Sequence, residues 1–161
     1  MKHIFAPWRM QYIKHADDPG CIFCQLPEQN NDQENLIVFR GETVFAIMNR
    51  FPYNPGHLMI APYRHIQRLA QLSPEEALEM MQLAGRLERV LQDIMKPHGF
   101  NAGINMGRPA GGGFEHLHLH IVPRWSGDTN YMPVLSDTKV VSQALDETYR
   151  EIVEALKARD S

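Results

Sequence analysis

Three histidines, His116, His118 and His120, stand at every second position among Leu117, Leu119 and Ile121, beginning after a gap of two residues beyond Gly111-Gly112-Gly113. Strand alternation over residues 116–122 puts the three imidazoles on one face and the apolar side chains on the other, toward a core. Three kinds of chemistry suit such a row. Successive histidines lie about 6.6 Å apart on a strand and the outer pair about 13 Å, whereas zinc holds nitrogen at about 2.0–2.1 Å, so one ion cannot gather all three without severe bending. An adjacent pair can still converge on a metal, and a half-exposed strand can present histidines as a plain solvated face. The third chemistry is covalent. Neutral imidazole, with an ordinary pKa of ~6.5, is a capable nucleophile toward phosphorus near neutrality, and a neighbour on the same face can donate to the phosphoryl group. The glycine run suits that role, because backbone N–H groups there can approach phosphate oxygens closely. It lacks the Gly-Lys-Ser/Thr ending of a nucleoside triphosphate loop, and a flexible hairpin suits it as well.

The second chemical feature is Cys21-Ile22-Phe23-Cys24, which holds both cysteines of the chain. Two cysteines are too few for a disulfide scaffold, so the spacing points to metal or redox chemistry, with two buried thiols as the inert reading. A redox pair should open a helix in a strand-helix-strand unit, and Pro19-Gly20 before it with Gln25-Leu26-Pro27 after it give no such pattern. Structural zinc takes four ligands, so two more are needed and histidine is the natural supply.

These groups must be positioned by a chain of 161 residues, long enough for one domain with its own core. The formal net charge of −3 supplies no basic field for nucleic acid, so no nucleic-acid partner is expected, and a polyanionic ligand needs a local pocket. No apolar run approaches ~20 residues and the first residues lack a signal-peptide core, so a cytoplasmic protein without a membrane partner is expected. Residues 27–34 read as a polar loop. Residues 36–39 and 44–48 read as a hairpin, residues 57–61 as a third strand, and residues 100–106 and 116–122 as two more. Ser73-Pro74-Glu75-Glu76 opens a helix as a capping box with proline at the first helical position, and helical apolar spacing runs from Ala77 to Ile94 before Pro97-His98-Gly99 stops it. Beyond a loop holding Asp128 and Pro133, Val141, Leu145, Tyr149, Ile152 and Leu156 mark a C-terminal amphipathic helix. Strands in hairpin-like pairs with segregated helices predict an α+β domain with an antiparallel sheet, one long central helix and a C-terminal helix. Residues 1–161 then form a single domain, divided into an N-terminal arm (1–20), a core (21–125) and a C-terminal extension (126–161). His3, His15 and His98 read as solvent-exposed, His57 as packed or hydrogen-bonded at the head of its strand, and Trp8 with Arg9 as a nucleotide clamp or a packing anchor.

His116-Leu117-His118-Leu119-His120-Ile121-Val122 resembles the motif of the histidine triad (HIT) family. Cys21-Ile22-Phe23-Cys24, Pro55-Gly56-His57-Leu58-Met59-Ile60-Ala61-Pro62 with His65 beyond it, and Asn105 follow the family's landmarks in order over roughly residues 20–125. Ala6-Pro7-Trp8-Arg9-Met10, Phe51-Pro52-Tyr53-Asn54-Pro55-Gly56-His57 and Pro123-Arg124-Trp125-Ser126-Gly127-Asp128 resemble the bacterial diadenosine tetraphosphate phosphorylase branch. Where phosphoramidate hydrolases of the family carry glutamine and serine, this chain has Gly112 and Gly113, a departure that puts phosphoramidate hydrolysis in doubt.

The resemblance implies a HIT-like fold and cleavage of a dinucleoside polyphosphate by inorganic phosphate through a covalent nucleotidyl-histidine. It implies His118 as the nucleophile and His120 as its phosphate-contacting neighbour. Asn49 falls where the family binds ribose, Asn105 and the Gly111, Gly112 and Gly113 amides line the phosphate path, and Trp125 contacts base or phosphate. Zinc on Cys21, Cys24, His65 and His116, and a homodimer packed through the helix and central strands, follow from the same resemblance. Hydrolysis of the same substrates, a nucleotide-binding module without catalysis and a histidine-pair metalloenzyme remain the alternatives.

Overall fold

A computed structural model describes residues 20–112, 115–128 and 144–160. The expectations for His3, Trp8, Arg9, His15, Gly113, Pro133 and Val141 lie outside these residues. The element order is α1 (Ile22–Glu28), α2 (Asp32–Asn35), β1 (Ile37–Arg40), β2 (Val44–Met48), β3 (Leu58–Pro62), α3 (Pro74–Met95), β4 (Gly99–Ile104), β5 (Leu119–Arg124) and α4 (Leu145–Asp160), with 3₁₀ turns at Leu69–Gln71 and Arg108–Ala110. The strands form one antiparallel sheet in the order β1-β2-β3-β5-β4. This is the α+β arrangement expected.

Helix α3 starts where its cap predicts. Ser73 Oγ accepts from Glu76 N at 3.2 Å while Glu76 Oε2 accepts from Ser73 N at 2.9 Å, which satisfies two otherwise orphaned donors. The helix stops at Met95 because Lys96 adopts the left-handed conformation ahead of Pro97. Its apolar stripe, with Met80, Leu83, Leu87, Val90 and Leu91 buried, packs on one face of the sheet through Val44, Ala46, Met48, Leu58, Ile60, Leu119 and Ile121. Helix α4 adds Tyr149, Ile152 and Leu156 to this core.

The opposite face is built differently. Ile37, Phe45, Ile47, Met59 and Ala61 are covered there by Phe23 of α1. Strand β2 is therefore buried along its whole length.

Several boundaries differ from the sequence reading, each for a local reason. Leu36 is left-handed at the end of α2, with φ 61°, so β1 begins at Ile37. His57 closes a turn, its N–H on Asn54 O and its O accepting from Asn49 N, so β3 begins at Leu58. Strand β4 ends at Ile104, before the Gly107 turn. Strand β5 starts at Leu119 because the preceding segment leaves the ladder: Leu117 N donates to Ile66 O at 2.6 Å. Helices α1 and α2 occupy most of what reads as a loop over residues 27–34 and the stretch before it. Cys21 O accepts from Cys24 N and Gln25 N, so the cysteine pair does open a helix, with Pro27 in its last turn, although no strand precedes it among the described residues.

Candidate active site and metal centre

The departure of residues 116–118 from strand geometry changes what the three histidines can do. His116 is 2 % exposed and His118 5 %, so a solvated polar face is ruled out. The rings of His118 and His120 lie 4.7 Å apart between centroids, nearer than the regular-strand spacing. His116 turns away from them.

The ring nitrogens can be assigned from partners that admit only one role. A carbonyl oxygen only accepts, so His118 Nδ1, 2.7 Å from His116 O, carries the proton and its Nε2 keeps a lone pair. Tyr53 N–H donates to His57 Nδ1 at 3.1 Å, so neutral His57 carries its proton on Nε2 and donates it to His120 Nδ1 at 2.9 Å. The remaining proton of neutral His120 then sits on Nε2. The result is a lone pair on His118 beside an N–H on His120, held by His57, which is 0 % exposed. Burial lowers the pKa of His118, with the His116 carbonyl partly opposing it. Burial, with the charge of His118 adding to it, holds His120 down to about 4. Both rings are therefore neutral at pH 7.

Phe23 stacks on His118 with centroids 4.6 Å apart and 27° between planes, and Tyr53 stacks on His57 at 4.6 Å. These stacked rings flank the imidazoles and limit the space in which they can turn. The Phe23 contact follows from α1, an element the polar flanks of the Cys-x-x-Cys pair concealed.

Cys21, Cys24, His65 and His116 form a second constellation. Their ligand atoms lie within 4.8 Å of one another. His116 Nε2 donates to Pro62 O at 2.9 Å, which leaves Nδ1 as a lone pair 3.3 Å from Cys21 Sγ and 3.6 Å from Cys24 Sγ, while His65 Nδ1 is 3.4 Å from Cys24 Sγ. A tetrahedral zinc site with bonds of about 2.0–2.3 Å has edges of about 3.3–3.8 Å; these three distances fall in that range, the remaining ones lie within 4.8 Å, and the four residues supply the S₂N₂ donor set for such an ion. Burial and the neighbouring Cys21 push the Cys24 thiol up to about 11, as befits ligands crowded together before a cation neutralises them. His57 belongs to the other constellation.

The remaining sequence-predicted residues surround the histidine pair unevenly. Asn49 directly follows β2, with its Oδ1 accepting from Phe51 N at 2.9 Å, leaving its amide NH₂ as the group available to a ligand. Asn105 follows β4 and lines a small cavity. Gly111 N and Gly112 N donate to Arg108 O and Gly107 O at 3.0 and 3.1 Å, so these two amides close the loop on itself and are not the free phosphate cradle the sequence suggests. Glycine is needed at both for conformation: Gly111 has φ +90°, and a Cβ on Gly112 would meet Gly107 O at 3.0 Å. Trp125 sits half-buried on the turn after β5, where its N–H donates to Asp128 Oδ2. Asp128 also accepts from Arg124 Nε at 2.6 Å and from Asn54 Nδ2 at 2.8 Å. The Arg124 guanidinium drives its carboxyl far below the usual range. This ties the Trp125 turn to the loop that carries Tyr53 and His57, a link no spacing in the sequence reveals. His98 is exposed, as expected, and accepts from Ser126 N at 2.9 Å on the same turn.

A five-stranded antiparallel sheet that presents paired histidines on one face and a long helix on the other defines a class of fold, and the comparisons agree with it. The family described as HIT domain matches residues 30–127, and the chain belongs to that family. The AP-4-A phosphorylase of Mycobacterium tuberculosis is 41% identical over 160 residues, spanning 93% of this chain and 82% of that protein. The bis(5'-adenosyl)-triphosphatase of Dictyostelium discoideum is 34% identical over 92 residues, spanning 57% of this chain and 62% of that protein. Among solved structures, a Zn-bound histidine triad family protein from Mycobacterium smegmatis superposes with a TM-score of 0.71 at 25% identity, covering 88% of this chain and 96% of that one. Among the described residues no helix is long and apolar enough to cross a membrane.

Proposed function

We propose that the chain is an enzyme that cleaves dinucleoside polyphosphates by phosphorolysis, converting diadenosine tetraphosphate and phosphate to ATP and ADP. The observation that carries this reading is the bond from His118 Nδ1–H to His116 O. It leaves a neutral, buried Nε2 lone pair beside the N–H of His120. The similarity to an AP-4-A phosphorylase over most of both chains supports the substrate and the phosphate acceptor.

His118 Nε2 attacks the phosphorus of one nucleoside monophosphate unit. The N–P bond forms, the bridging P–O bond breaks, and the rest of the polyphosphate leaves as an oxyanion that needs no proton. As the His118 ring gains positive charge, its Nδ1–H bond to His116 O strengthens, which favours the transition state over the ground state. Neutral His120 donates a hydrogen bond to the phosphoryl oxygens and keeps its proton, with His57 fixing its tautomer. An oxygen of inorganic phosphate then attacks the same phosphorus, the N–P bond breaks, and the electron pair returns to His118. Asn49 holds the ribose, Asn105 contacts the phosphate chain, and Trp125 closes on the base. Gly111, Gly112 and Gly113 let the loop approach the substrate, the first two as wall.

Zinc is the ion we assign to Cys21, Cys24, His65 and His116, on donor set and spacing. When bound it supplies a structural tie between α1 and the segment ahead of β5. The chain works as one domain and pairs as a homodimer, a reading supported by the exposed edge strand β4 and by Leu78 and Met81 on the outer side of α3. The test is product analysis with diadenosine tetraphosphate. ADP and ATP formed only when phosphate is present supports phosphorolysis, AMP and ATP formed with or without phosphate supports hydrolysis, and no turnover supports a binding module.

A further inference from the structure

Phosphorolysis brings two polyanions together, and the Gly111 and Gly112 amides, engaged within their own loop, are not free to hold them. A nearby cation would supply the charge that such a meeting needs.

A cavity of about 40 Å³ lies where the 3₁₀ turn after β3 meets the glycine loop, lined by Gln67, Arg68, Asn105, Gly107, Glu115 and the His116–Leu117 segment. One water occupies roughly 10–15 Å³ on this measure. The space therefore suits a small oxyanion and excludes a nucleoside. Among the described residues Arg68 is the only cation in its lining. The five ion pairs of the described residues engage Arg40, Arg64, Arg86, Arg124 and Arg159 and leave Arg68 out. Its guanidinium can present paired N–H donors to a tetrahedral phosphate, a geometry lysine lacks. Asn105, already placed on the phosphate path, forms the other wall.

We propose that this cavity is a phosphate oxyanion subsite in which Arg68 is the charged ligand and Asn105 the neutral one. The inference rests on the phosphorolytic reading and extends it. Two in-line displacements on one histidine place leaving group and incoming group on the same side of phosphorus, so one subsite serves the distal phosphates of the dinucleotide first and inorganic phosphate afterwards. Glu115, on the same lining, opposes anion binding and sets its strength.

The probe is inorganic phosphate alone, titrated into the full chain and followed by calorimetry or ³¹P line broadening, beside steady-state KM values for phosphate and for the dinucleotide. Arg68 is exposed, so Arg68→Ala leaves the fold intact. Losing a charge-assisted hydrogen bond should weaken phosphate binding about tenfold or more. Arg68→Lys should restore part of that loss, and Glu115→Gln should tighten binding about two- to fivefold. A raised KM for phosphate assigns the subsite to the acceptor, and a raised KM for the dinucleotide assigns it to the substrate's own distal phosphates. Unchanged phosphate binding and unchanged KM values in Arg68→Ala would overturn the proposal. A protein that hydrolyses the dinucleotide yet binds phosphate through Arg68 refutes phosphorolysis and keeps the subsite, so the two failures are distinct.

Discussion

The two faces of the sheet are built from one strand set but obey different rules. On the helix face, Leu87, Val90 and Leu91 of α3 meet Ala46, Leu58 and Ile60 with no polar group to orient. Many hydrophobic sets of similar volume can fill such a face. On the other face the cover is the short helix α1, and the buried groups include His116, His118 and His57, each with a named partner for its ring nitrogens. The first face needs volume, whereas the second needs each proton at a particular atom. Substitutions should therefore separate stability from chemistry according to the face they strike.

The largest effect is expected from His118→Ala. Loss of a nucleophile that no neighbour replaces should cut kcat by a factor on the order of 10³ or more, with circular dichroism and Tm near wild type. Leu87→Ala, on the opposite face, should show the inverse. Deleting a fully buried leucine there should cost about 2–5 kcal/mol in denaturant unfolding, while kcat of the folded protein stays unchanged at low temperature. His57→Gln lies between them. It breaks the bond that fixes the His120 tautomer, and kcat should fall about 10²-fold at nearly constant KM. Equal losses of stability from Leu87→Ala and His57→Gln without loss of kcat would erase the distinction.

Most of the helix face was legible in the sequence, because period and capping act locally. Ser73, Glu76 and the stripe from Met80 to Leu91 are read from spacing alone. The histidine face was legible only in its ingredients. Alternation placed His116, His118 and His120 on a common strand, but Leu117 bonds to Ile66, a partner far away in sequence, and the first two histidines leave the ladder. The His57–His120 contact spans 63 residues and joins the turn ahead of β3 to β5, a pairing that no local pattern states. Phe23 over His118 depended on a helix hidden by polar flanks and an internal proline.

Two smaller effects sharpen the contrast. Chelation should lower Tm if an ion ties α1 to the segment before β5, and activity should follow the loss of Phe23 and His116 packing with a delay; Cys24→Ser should reproduce the shift without chelator. The mildest effect concerns pH. The folded pKa of His120, about 4, lies below its unfolded value of ~6.5, so the unfolded chain binds more protons between them. Its contribution to stability is complete above pH 6.5 and is lost as pH falls through about 4. His120→Asn should flatten the decline of Tm over that window, whereas Leu87→Ala should lower the curve without changing its slope there.

The central claim is that the Nε2 lone pair of His118 forms a bond to phosphorus. Mixing the protein with diadenosine tetraphosphate in the absence of phosphate, quenching at alkaline pH and mapping the adduct by peptide mass spectrometry tests it directly. The account predicts a nucleoside monophosphate on His118 that adding phosphate discharges as the nucleoside diphosphate. Turnover under the same conditions with no adduct, or with the adduct on another residue, would contradict it.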